Sequence, residues 1–249
     1  MANIRTSKDV FRIISWNIRN NLKVIVFMSV GIFLLLFAYA KFGFYMEDIS
    51  DIYERYLGGS SKVDVSMIAW VVFTLPIKAS IYFYMTAEYN ELYSIKILKY
   101  QDKRVHRCIV LISIALQTAI YYAICYGLFV IINGTIDIKF NLFQISLVIV
   151  ETLNFSISAF LIWLVWDKAR NFVFPLILST ELIACVICGG MKGGFRFLPF
   201  TQGKFYLQQS YYTNGVSILF SVVMLCILVG GLVLIDMRLD ERGSNNGFD

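Results

Sequence analysis

Six apolar stretches divide this chain, and each approaches or exceeds the roughly 20 residues that a helix needs to cross hydrocarbon at about 1.5 Å of rise per residue. They run from Val24 to Ala40, Val65 to Ala87, Cys108 to Ile132, Leu142 to Trp166, Phe172 to Gly189 and Val216 to Ile235. A transmembrane barrel would instead read as short alternating strands, and none is visible. Composition points the same way. With 58% of 249 residues hydrophobic and 16% charged, the chain has too little polar surface to clothe a soluble globule. The sequence predicts an all-α polytopic membrane protein with six transmembrane helices. With no internal repeat or low-complexity tract, it reads as one domain over residues 1–249.

Lysines and arginines set the expected orientation. With the N-terminus inside, the cytoplasmic segments hold fourteen of them and the outer segments seven, an asymmetry that favours an N-in, C-in topology. Residues 190–215, the expected extracellular loop, run against this trend with Lys192, Arg196 and Lys204. The net charge of +5 needs no nucleic acid as a partner, because basic residues beside anionic lipid account for it.

Before the first apolar stretch, Lys8, Arg12, Ser15, Arg19 and Lys23 recur at helical spacing, while Val10, Phe11, Ile14, Ile18 and Leu22 fill the other side. This predicts an amphipathic helix over 1–23 lying on the inner membrane surface, with Trp16 near the interface. Ala38-Tyr39-Ala40 resembles a signal-peptide cleavage site. The long, acid-containing and helix-patterned region ahead of it argues against cleavage.

Charge inside the apolar stretches is costly, on the order of 2.5–3.5 kcal/mol per residue at a helix centre. Lys78, Glu151 and Glu181 all fall there. Counting from the inner ends of their stretches, Lys78 and Glu181 both lie about 13 Å deep and Glu151 about 22 Å. The counting therefore predicts a Lys78–Glu181 pair between helices. It assigns Glu151 instead to a polar lane with Asn154 and Ser158, and a second lane joins Ser113, Gln117 and Tyr121. Such lanes either join helices by hydrogen bonds or line a wet path.

Catalytic signatures are missing. The chain has no P-loop, no H-E-x-x-H and no G-x-S-x-G, so nothing suggests an enzyme, a bound cofactor or catalytic residues. A single histidine, His106, offers no metal set. Cys185 and Cys188 form C-x-x-C, but late in an apolar helix rather than at a reachable helix start, so a redox role is not expected. The glycines of Gly189 to Gly194 read as a flexible turn or as a loop that dips back into the protein.

Residues 88–107 carry more charge than a connection needs. Glu88 and Glu91 share a helical face, Tyr89, Leu92 and Tyr93 offer apolar contact, and Lys96, Lys99, Lys103 and Arg107 form a basic stripe. Acid at the start and base at the end suit a helix dipole. The segment reads as a cytoplasmic helix with a partner, or as an ordinary loop hugging lipid.

The layout of six spans, an opening interfacial helix and an E-x-x-E helix after the second span resembles the permease subunit of type-2 ATP-binding-cassette exporters. The stretch Ala87-Glu88-Tyr89-Asn90-Glu91-Leu92, followed by Lys103 to Arg107, carries the local likeness. The resemblance implies that Glu88, Tyr89, Glu91, Leu92, Tyr93 and Lys96 contact a separate ATPase that holds ATP and Mg, this chain holding neither. It also implies a second permease, a copy or a paralogue, and a place in the bacterial cytoplasmic membrane. Small members of this kind resemble exporters of bacteriocins and other amphipathic peptides, which would make Lys78, Gln117, Tyr121, Glu151, Asn154 and Glu181 candidates for a pathway. A non-transporting immunity or sensor protein that binds a toxin or partner is the alternative.

Overall fold

A computed structural model describes residues 7–43, 65–90, 103–133, 138–166, 170–190, 198–199 and 214–245. Among the described residues there are six α-helices and no strand: α1 (Ser7–Gly43), α2 (Val65–Asn90), α3 (Lys103–Asn133), α4 (Ile138–Val165), α5 (Arg170–Gly190) and α6 (Asn214–Asn245). Among the described residues, four segments are long and apolar enough to cross a membrane, Val105–Leu128, Ile145–Val165, Arg170–Ile187 and Ile218–Ile235.

Every helix is longer than the apolar stretch that foretold it, because helical propensity continues past the last greasy residue until a breaker intervenes. Thus α5 stops at the Gly189-Gly190 pair, and α3 ends at Asn133, just before Gly134. The largest extension is at α1. No proline or turn signal separates residues 7–23 from 24–40, and the two form one helix of 37 residues. The separate surface helix expected over 1–23 is corrected accordingly. Half of its apolar side is also occupied by protein, since Ile14 packs on Ile109 of α3, with Val10, Ile18 and Val105 around them.

Helix α4 is the hub, packing on α2, α3, α5 and α6, while α1 lies along α3. All ten residues from Glu151 to Phe160 are buried, as expected for a helix surrounded by others. Aromatic rings fill the space between helices. Phe73 of α2 meets Tyr121 and Tyr122 of α3 at 6.1 and 5.9 Å, and Phe174 of α5 meets Tyr82 at 5.1 Å and Phe155 at 5.6 Å. Between apolar helices in lipid such packing contacts, rather than exclusion of water, favour association. Helices α5 and α6 sit outermost, with Leu176, Ile183, Leu219, Ile227 and Leu234 exposed.

Prolines mark two helices. Pro76 lies inside α2 and Pro175 in the second turn of α5. Each removes a backbone donor and strains the ladder one turn earlier. Near Pro76, the Tyr121 hydroxyl donates to the Phe73 carbonyl at 2.7 Å.

Candidate functional site: a buried ionic triad

Lys78 projects from the middle of α2 into the junction of α2, α4 and α5. Its ammonium lies 2.6 Å from Glu151 Oε1, 2.9 Å from Glu181 Oε1 and 3.2 Å from Glu181 Oε2. The three side chains are 0–2% exposed. The same ammonium stands 4.8 Å from the ring centre of Trp70 and 4.6 Å from that of Phe155. A cation between two carboxylates and two ring faces exchanges its hydration shell for fixed partners, and desolvation makes each of them stronger than at a surface.

The expected Lys78–Glu181 pair is therefore present. The exclusion of Glu151 from it is corrected. Depth was counted from the ends of the apolar stretches, whereas the helices end elsewhere. From the helix ends expected on the inner side, Asn90, Val165 and Arg170, the three residues stand twelve, fourteen and eleven positions in. These differ by less than one helical turn, within reach of a lysine side chain.

A hydrogen-bonded shell continues from Glu151. Thr152 Oγ1 lies 3.5 Å from Glu151 Oε2, and the Tyr122 and Thr152 hydroxyls are hydrogen-bonded at 2.7 Å. Trp70, Phe155, Thr152 and Tyr122 were not singled out by sequence reasoning. Phe155 follows Glu151 by one turn on a single helix face, Trp70 precedes Lys78 by two turns on α2 and Thr152 is the chain neighbour of Glu151, whereas Tyr122 arrives only through interhelical packing.

The two polar lanes do not behave as units. Asn154 leaves Glu151 behind and donates to the Ser221 carbonyl of α6 at 3.3 Å. Tyr121 bonds Phe73, whereas Ser113 Oγ, both amide atoms of Gln117, Asn154 Oδ1 and Ser158 Oγ are buried with no hydrogen-bond partner among the described residues. Tyr121 and Asn154 thus join helices. Ser113 and Gln117 do not.

Toward the other end of α2, Glu88 is 3% exposed and its Oε2 lies 3.4 Å from His106 Nε2 on α3. Glu88 is corrected from a surface contact to a buried one, because α2 runs on through it to Asn90 and turns it inward. Tyr89 lies in that last turn of α2. Glu91, Leu92, Tyr93 and Lys96 lie outside the described residues. Beside His106, Arg107 Nη1 donates to the Val233 carbonyl of α6 at 3.4 Å, and Asn17 of α1 donates to the Tyr84 hydroxyl at 3.2 Å. These contacts bind the ends of α1, α2, α3 and α6 into one base.

No family model matches the chain, and no curated protein or solved structure matches it.

Proposed function

We propose that this chain is the permease subunit of an ATP-binding-cassette exporter in a bacterial cytoplasmic membrane, crossing it six times with both termini inside. The substrate is hydrophobic or amphipathic, a peptide or bacteriocin foremost. ATP and Mg act on a separate nucleotide-binding subunit, and a second permease, identical or related, completes the pathway.

The observation that carries this reading is mechanical. The segment from 91 to 102 joins the ends of α2 and α3, which Glu88 and His106 hold together. Twelve residues up α2, Lys78 grips α4 and α5. Force applied to that segment reaches four helices through short, buried contacts. An apolar groove of about 540 Å³ between α2 and α5, lined by Ile68, Val72, Ile183 and Val186 among others, suits a greasy substrate.

The test is to purify the tagged full chain from its own membranes after mild cross-linking and identify what accompanies it. A P-loop ATPase in stoichiometric amount is expected, and Glu91→Lys combined with Lys96→Glu should release it. Undiminished association in that variant removes the segment's assigned role. The closed triad at the centre of the helices also suits a static receptor, so recovery of the chain without any ATPase replaces the exporter by the immunity or sensor protein.

A further inference from the structure

At the junction of α2, α4 and α5 one positive charge meets two negative ones, since Glu151 and Glu181 approach the same Lys78 nitrogen at 2.6 and 2.9 Å. Both carboxylates belong to apolar segments long enough to cross a membrane, Ile145–Val165 and Arg170–Ile187. Fully ionised, the triad carries an excess negative charge in a dry interior. A carboxylate left in that state takes up a proton rather than bear the cost of desolvation.

Every other cation whose side chain is described stands away from the triad. Arg170 starts α5, about 16 Å by helical rise from Glu181, and its guanidinium lies 4.3 Å from the ring centre of Trp163. Arg107 donates to the Val233 carbonyl, about 22 Å along α3 from Tyr122, and Arg12, Arg19, Lys23 and Arg238 are exposed. From α3, Tyr122 stands within electrostatic reach of both carboxylates, with Cys125 beside it. The Tyr121 hydroxyl is committed to the Phe73 carbonyl, and Cys226 of α6 is exposed.

We propose that the triad is a binding site for one proton, taken from water and shared by the Glu151 and Glu181 carboxyls. The proton adds to a carboxylate oxygen as an O–H bond, no other bond breaks, and the triad becomes neutral. It belongs to the coupled pair rather than to one residue. Thr152 Oγ1, 3.5 Å from Glu151 Oε2, and the Tyr122 hydroxyl, 2.7 Å from Thr152, turn to accept from an acid or to donate to a carboxylate. The shell therefore serves both states without moving the backbone. Release of the proton restores the excess charge where three helices meet, which favours an arrangement that admits water. The packing of α2, α4 and α5 thus responds to proton supply, whether or not a motor subunit acts on the chain.

Infrared spectroscopy of the full chain in detergent tests this, because an un-ionised carboxylic acid has a carbonyl stretch that a carboxylate lacks. At mildly alkaline pH, where exposed carboxyls are ionised, the native protein should keep one such band. Glu151→Gln and Glu181→Gln should each abolish it, since the single carboxylate left balances Lys78 as an ion pair. Glu88→Gln, which removes the buried carboxyl beside His106, should leave it in place. Absence of the band from the native protein overturns the site, as does a band that outlasts either Gln substitution in the triad. Should a Gln variant fail to fold, Glu151→Asp and Glu181→Asp keep all three charges, and at least one of them should shift the band. A band unmoved by both overturns the site as well.

Discussion

Glu151 of α4 meets Lys78 of α2 at 2.6 Å, and Glu181 of α5 takes the other side of the same ammonium at 2.9 Å. One cation thus joins three helices. Removing it alone, as in Lys78→Met, leaves two carboxylates facing each other in a dry interior, and breaking a buried pair in this way costs about 3–5 kcal/mol. Replacing all three groups, Lys78→Met with Glu151→Gln and Glu181→Gln, removes every charge and should recover most of that loss. Urea or thermal unfolding in detergent, followed by circular dichroism, reads the difference. If the single and triple variants are equally unstable, the three groups are not energetically coupled.

Tyr121 tests a single hydrogen bond that joins α3 to α2. The hydroxyl donates to the Phe73 carbonyl at 2.7 Å, less than a turn before Pro76. Tyr121→Phe keeps the ring contacts with Phe73 and Tyr122 and deletes only the donor; the Phe73 carbonyl keeps its place in the helix ladder, so the loss expected is that of one net hydrogen bond, about 0.5–1.5 kcal/mol. A variant as stable as the native chain would show that the bond contributes nothing net.

Gln117, one turn away on α3, should behave in the opposite sense. Its amide is fully buried and, among the described residues, has no hydrogen-bond partner at either end. An interior polar group in that state opposes folding, and Gln117→Leu should leave stability unchanged or raise it. If the chain is the proposed exporter, retained transport by this variant would mean that the residue only fills space. Lost transport with full stability would assign it to a wet path.

How much of this was legible before the structure depends on whether a feature is local or interhelical. The apolar stretches are local and overlap the observed helices, and the charge of Lys78, Glu151 and Glu181 announced an interior site. What failed was every inference that required knowing where a helix stops. Apolarity ends at Ala87, yet α2 continues to Asn90, which shifts the depth of Lys78 and turns Glu88 inward. Likewise, the change of character at Lys23 marks a change of environment without breaking α1. The hydroxyl of Tyr122 carried no pattern at all, because only the packing of α3 on α4 brings it to Thr152.

The contact between Glu88 and His106 links that boundary error to function. Both side chains are buried, at 3% and 1% exposure, and they lie 3.4 Å apart across the ends of α2 and α3. Glu88→Gln and His106→Gln should each loosen this end of the bundle, and in the double variant the losses should fall short of their sum by roughly 0.5–3 kcal/mol, the range for residues in contact. Strict additivity in unfolding experiments would mean that the two side chains act separately. The same variants bear on force transmission. If the segment between 91 and 102 receives a motor, loosening its two anchors should uncouple ATP hydrolysis from transport while the ATPase stays bound. Loss of the ATPase itself would instead make Glu88 and His106 part of the docking surface.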